Sequence, residues 1–91
     1  MTLEELYKII ISRQKELPEV SYVASLFKGD QDRIIQKVGE EATEVVIAAK
    51  NPSKKRLISE TADLLFHTLV MLASRDVTLD EVMSELEERK R

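Results

Sequence analysis

The chain has 91 residues, 43% of them hydrophobic and 34% charged, with a formal net charge of −3. Zero cysteines exclude a disulfide scaffold, a zinc-finger framework and a thiol nucleophile, and a single histidine speaks against a multi-histidine metal site or histidine-paired catalysis. Two glycines, two prolines and 4% aromatics are poor material for a turn-rich sheet, and the acidic balance gives no global pull toward nucleic acid or an anionic membrane.

No run approaches the ~18 apolar residues of a membrane span, and Met1-Thr2-Leu3-Glu4-Glu5 starts acidic, unlike a signal peptide. The expectation is a single cytoplasmic domain over residues 1–91. A chain of this length buries only about 60–65% of its unfolded surface, so a metal, a ligand or a second subunit is expected to help hold it.

In chain order, Thr2 with Glu5 forms a capping box, and Leu3, Leu6, Tyr7, Ile10 and Ile11 recur at helical spacing until Leu17-Pro18 stops the pattern. Residues 19–27 are ambiguous: Val20, Tyr22 and Val23 suit a strand, but with no partner strand a short helix or ordered loop is expected. Lys28-Gly29-Asp30 is a break with Asp30 as N-cap. From Gln31 to Lys50 runs a long helix with Ile34, Ile35, Val38, Ala42, Val45, Val46 and Ala49 on one broad face. Asn51-Pro52-Ser53 ends it and caps the next. That next helix, about Lys54 to Ser74, is apolar nearly all round and is therefore expected to be central. Thr78 with Glu81 repeats the capping box before a last helix carrying Leu79, Val82, Met83 and Leu86, followed by the charged tail Glu87–Arg91. The fold expected is all-α: an antiparallel helical hairpin at the core of a four- to five-helix bundle.

Acidic residues on helices are ordinarily a solvated face, but two clusters stand apart. Glu40, Glu41 and Glu44 form E-E-x-x-E in the long helix, and Glu60 with Asp63 forms E-x-x-D in the apolar one, where an unpaired carboxylate is costly if buried. Folded as a hairpin about Pro52, Glu44 and Glu60 lie equally far from the pivot, as do Glu41 and Asp63, each pair roughly 12–16 Å from the turn at ~1.5 Å rise per residue. Four carboxylates so gathered repel one another unless a cation neutralises them. An oxygen-only donor set selects a hard ion, Mg²⁺ or Mn²⁺ in its place. The competing reading is a ladder of salt bridges, with Lys37 and Arg33 answering Glu41 and Glu44. Lys37 and Arg33 lead into the acidic row, and Lys54, Lys55 and Arg56 open the apolar helix; cations beside a carboxylate-held metal are what a polyphosphate needs. His67, one turn beyond Asp63, is open between hydrogen bonding to a metal ligand or substrate and a satisfied core position. Gly39, mid-helix, costs roughly 1 kcal/mol against alanine, which suggests close approach of a neighbouring helix or of substrate.

E-E-x-x-E on one helix and E-x-x-D on the next resembles the metal-binding signature of the all-α, MazG-like nucleotide pyrophosphohydrolase superfamily. Ser21-Tyr22, Lys37-Val38-Gly39-Glu40-Glu41-Ala42-Thr43-Glu44 and Glu60-Thr61-Ala62-Asp63-Leu64-Leu65-Phe66-His67 are similar to the phosphoribosyl-ATP pyrophosphohydrolase family of histidine biosynthesis. The resemblance runs from about Leu3 to Leu86. Many family members are fused to a phosphoribosyl-AMP cyclohydrolase domain, and this chain resembles the stand-alone form.

The resemblance implies hydrolysis of the α–β phosphoanhydride of 1-(5-phosphoribosyl)-ATP, a homodimer, and Mg²⁺ held by Glu41, Glu44, Glu60 and Asp63. It leaves Glu40 open between second-metal ligand and general base for the attacking water, so Glu40, Glu41 and Glu44 form the catalytic set. It assigns Lys37 and Arg33 to phosphate oxygens, and Ser21, Tyr22, Lys28 and His67 to the substrate. Two alternatives stand beside it: a house-cleaning pyrophosphatase for (deoxy)nucleoside triphosphates, and a non-catalytic helical dimerisation module.

Overall fold

A computed structural model describes residues 1–90; Arg91, the last residue of the charged tail, lies outside them. The elements are α1 (Leu3–Glu16), α2 (Tyr22–Lys28), α3 (Gln31–Lys50), α4 (Lys54–Ser74) and α5 (Leu79–Glu88). There is no strand among the described residues, so the all-α expectation holds.

Local chemistry sets the boundaries. Thr2 and Thr78 close reciprocal capping boxes with Glu5 and Glu81. Asp30 and Ser53 cap α3 and α4 through side-chain oxygens that accept from the N–H groups of Asp32 and Arg56. Ahead of Pro18, Leu17 takes the left-handed conformation at φ 49° and donates its N–H to Arg13, closing α1. The ambiguous stretch resolves as a helix: the Ser21 hydroxyl accepts from Ala24 N–H at 3.2 Å, and Val23, Ala24 and Leu26 are buried. Packing against α1 and α3 outweighs the strand preference of Val20, Tyr22 and Val23.

The long helices α3 and α4, joined by Asn51–Ser53, make the most extensive helix pair of the molecule. Asn51 Oδ1 accepts from Ser53 N–H at 2.9 Å and tightens that link. Helix α1 packs on α4 and α2, and α2 on α3. The core lies where these meet: Ile10 and Val70 are completely enclosed among Val23, Leu26, Ile34, Leu69 and Ala73. It therefore gathers at the end of the hairpin remote from Pro52.

Two expectations about faces need correction. On α3 only Ile34 and Ala48 are buried, while Ile35, Val46 and Ala49 are exposed. On α4, which is apolar nearly all round, Ile58, Ala62 and Leu65 face outward and burial begins at His67. The cause is common: α1 and α2 cover one flank of the far half of the hairpin and leave the half near Pro52 bare. Helix α5 buries none of its residues. By length and composition α4 could cross a membrane, but it carries Glu60, Asp63 and His67 along its length and packs against α3 and α1.

Candidate metal centre

One carboxylate oxygen each from Glu41 on α3 and Glu60 and Asp63 on α4 lie within 4.8 Å of one another. Glu60 and Asp63 stand one turn apart on the same stripe of α4, and the hairpin brings Glu41 across to meet them. Glu41 and Glu60 are half-buried and Asp63 is exposed. The desolvation argument for Asp63 therefore fails. Its neighbours Ala62 and Leu65 are exposed as well, because nothing among the described residues covers that side of α4.

The other predicted residues are placed as follows. Glu44 stands one turn nearer the link and faces Arg56, Oε2 to Nη2 3.7 Å, outside the cluster of three. Glu40 points to the solvent side of α3, where Arg33 donates to it at 3.3 Å. Lys37 approaches Glu41 at 3.3 Å, and these two side chains, 19% and 13% exposed, form the most enclosed ion pair of the chain. Part of the salt-bridge ladder is thus present, with Glu40 and not Glu44 as the partner of Arg33. Ser21 Oγ is engaged as the cap of α2, and Lys28 is exposed at the other end of that helix. The surface cleft of about 240 Å³ lined by Gln14, Phe27, Gly29, Gln31, Ile34 and Ser74 is separate from the carboxylates, toward the end of the hairpin remote from Pro52.

His67 is buried, 6% exposed, with both ring nitrogens engaged. Nδ1 is 2.8 Å from the Asp63 carbonyl oxygen and Nε2 is 2.9 Å from the Tyr22 hydroxyl. A carbonyl only accepts, so Nδ1 carries the proton, and in the neutral ring Nε2 accepts from Tyr22. Phe66 completes the group: it stacks with Tyr22 at a centroid distance of 6.1 Å and meets His67 edge-on at 5.0 Å. The sequence holds no local signal for this contact, because its partners are 45 residues apart. Around Gly39 no atom lies within 4 Å of where a Cβ would stand, so no neighbouring helix of the same chain explains the glycine.

Three carboxylates from two helices, with Lys37 beside them and no nitrogen or sulfur donor in the set, suit a hard divalent cation such as Mg²⁺ or Mn²⁺. The fold and site together define a class: an all-α hairpin protein whose two longest helices bring acidic residues to one place. The profile of the phosphoribosyl-ATP pyrophosphohydrolase family matches residues 3–90. The phosphoribosyl-ATP pyrophosphatase of Trichlorobacter lovleyi is 56% identical over 87 residues, 96% of this chain and 81% of the relative. That of Metallosphaera sedula is 52% identical over 96% of this chain and 94% of the relative. A bifunctional histidine biosynthesis protein of Halalkalibacterium halodurans is 52% identical over 99% of this chain, which spans 41% of that longer protein. The chain belongs to the phosphoribosyl-ATP pyrophosphohydrolase family.

Proposed function

We propose that this chain hydrolyses the α–β phosphoanhydride of 1-(5-phosphoribosyl)-ATP to 1-(5-phosphoribosyl)-AMP and pyrophosphate, the second step of histidine biosynthesis, as a cytoplasmic homodimer without nucleic-acid or membrane partners. The observation that carries the reading is the meeting of Glu41, Glu60 and Asp63 across the hairpin, in a chain whose relatives bear the name of this activity. Glu41, Glu60 and Asp63, with Glu44 one turn away, would hold Mg²⁺, or Mn²⁺ in its place, and such an ion would supply neutralisation of phosphate charge. Lys37 and Arg33 hold the remaining phosphate oxygens, with Ser21, Tyr22 and Lys28 on the substrate side. Water attacks the α-phosphorus, the bond to the bridging oxygen breaks, and pyrophosphate departs with the electron pair. Glu40 either takes the proton of that water or supplies a further oxygen ligand.

The homodimer reading is supported by the bare half of the hairpin, where Val46, Ile47, Ile58 and Leu65 are exposed. Two hairpins packed together make a four-helix bundle.

The test is pyrophosphate release from phosphoribosyl-ATP with Mg²⁺, run beside ATP, dCTP and dUTP, on the wild type, Glu44→Gln and Asp63→Asn. Release from phosphoribosyl-ATP alone, lost in both variants, is the expected result. Turnover of a nucleoside triphosphate instead would move the chain to the house-cleaning pyrophosphatases. No turnover at all, with no effect of Mg²⁺ on stability, would leave a helical dimerisation module.

A further inference from the structure

Tyr22 combines two properties that seldom meet on one side chain. The residue is 54% exposed, yet its side chain is held at two points: the hydroxyl is bonded to buried His67 and the ring stacks on Phe66. A free surface tyrosine samples several rotamers, whereas the bond to His67 and the stack on Phe66 restrain this one while the residue stays exposed. Phe66 and His67 follow Asp63 by three and four residues, and the His67 ring bonds the Asp63 carbonyl, so Tyr22 is held on the turn of α4 that follows Asp63. The histidine is otherwise hard to account for. A buried imidazole with its polar atoms unpaired is costly, and an apolar side chain would fill the place beside Val70 and Leu69 without that requirement. What the imidazole adds is the chain of bonds itself: Nδ1–H to the Asp63 carbonyl fixes the ring's tautomer and orientation, and leaves Nε2 as an acceptor aimed at Tyr22.

We infer that the exposed face of Tyr22 is the stacking surface for the purine of the nucleotide, and that His67 is a positioning residue that holds Tyr22 there and does not itself touch the substrate. The assignment rests on the proposed hydrolase reading and deepens it. Stacking on an aromatic ring holds a base firmly and is indifferent to substituents on its edge, which suits an adenine bearing a second ribosyl group. A ring held in its bound orientation before the substrate arrives loses little entropy on binding.

The chain has two tyrosines and no tryptophan, so Tyr7→Phe leaves Tyr22 as the sole tyrosine fluorophore. In that protein, with Mg²⁺ present, phosphoribosyl-AMP should quench the emission saturably, and ribose 5-phosphate with pyrophosphate should not. In kinetics with phosphoribosyl-ATP, Tyr22→Ala should raise KM about tenfold or more, the effect of one lost stacking contact, with kcat within about twofold. Tyr22→Phe and His67→Gln should each raise KM a few-fold, and the double variant no more than the larger single effect, since both remove the same bond.

Absence of quenching, an unchanged KM in Tyr22→Ala, or multiplying effects in the double variant would overturn the inference. A merely structural His67 would lower thermal stability and leave KM unmoved. If His67→Gln does not fold, Tyr22→Phe, which leaves the core intact, decides alone. If the wild type turns over a nucleoside triphosphate instead, the proposed substrate falls, and the same quenching and KM readings with that nucleotide still decide the stacking role.

Discussion

Asp63 and Glu41 share one cluster but stand in opposite electrostatic positions. Asp63 is exposed, carries no ion pair among the described residues, and has two carboxylates within 4.8 Å. Glu41 is half-buried and answered by Lys37 at 3.3 Å. Without metal, Asp63→Asn therefore removes repulsion and is expected to leave stability unchanged or raise it slightly. Glu41→Gln strands an enclosed ammonium and should cost about 1 kcal/mol, the upper end for a partly exposed pair. With Mg²⁺ the order should reverse in significance: on the proposed metal site the wild type is expected to gain RT ln(1 + [Mg²⁺]/Kd), and both variants should lose that gain. Thermal unfolding of the three proteins in EDTA and in millimolar Mg²⁺ measures each of these. A destabilised Asp63→Asn in EDTA would contradict the assigned geometry. Gly39 gives a second check at this scale. No atom of the chain stands where its Cβ would go, so Gly39→Ala should stabilise the isolated chain by up to about 1 kcal/mol. Lower stability or lower activity would place a second subunit or the substrate against that position.

At the scale of elements, what was legible in the sequence was the chemistry of helix ends, because a cap involves residues three apart and needs no tertiary information. Both capping boxes, the Asp30 and Ser53 caps and the stop before Pro18 could be read directly. Which faces are buried could not. A helix apolar on several sides offers several faces, and only the way the neighbouring helices pack decides that Ala48 is covered and Ala49 is not. The site divides in the same way. Matched spacing about Pro52 brought Glu41, Glu60 and Asp63 together, but rotation about the α3 axis turns Glu40 toward Arg33, and Glu44 reaches Arg56.

Helix α5 gives a prediction of its own, since it buries nothing and its start depends on the capping box. Glu81 Oε1 accepts from the Thr78 N–H at 2.9 Å and from its hydroxyl at 3.0 Å. The backbone bond first, and then the hydroxyl, hold the Glu81 carboxyl below the ordinary carboxylate range. A carboxyl depressed in the folded state contributes stability above its unfolded value of about 4.3, and that contribution disappears as pH falls through the folded value. Helix α5 should therefore fray on acidification before the hairpin opens, which amide exchange of residues 79–88 would reveal. Glu81→Gln should weaken the helix at neutral pH and flatten the dependence.

The whole molecule is more open than its length calls for. Its radius of gyration is 14.2 Å, against about 12 Å for a compact chain of this size. Half of the hairpin is also bare: Val46 is 59% and Ile58 61% exposed, with Ile47 and Leu65 exposed beside them. Each such side chain is worth about 1.5–3 kcal/mol when fully buried. These are already about half covered, so a symmetric contact that buried the rest of each twice would gain roughly half of that per side chain, the same order as an association cost of about 4–15 kcal/mol. A charge placed in the middle of that surface would be enclosed twice over across a two-fold axis, with no partner to neutralise it. Ile58→Glu should therefore yield monomers at micromolar concentration by light scattering, lower the thermal midpoint, and make what stability remains independent of protein concentration. Val20→Glu serves as the control: Val20 is 99% exposed in the link between α1 and α2, and the same added charge there should change neither mass nor midpoint. Because Glu41, Glu60 and Asp63 lie on the same two helices as the exposed apolar residues, loss of the dimer should also weaken Mg²⁺ binding. A monomeric Ile58→Glu protein with wild-type mass-normalised activity would show instead that one hairpin builds the whole site.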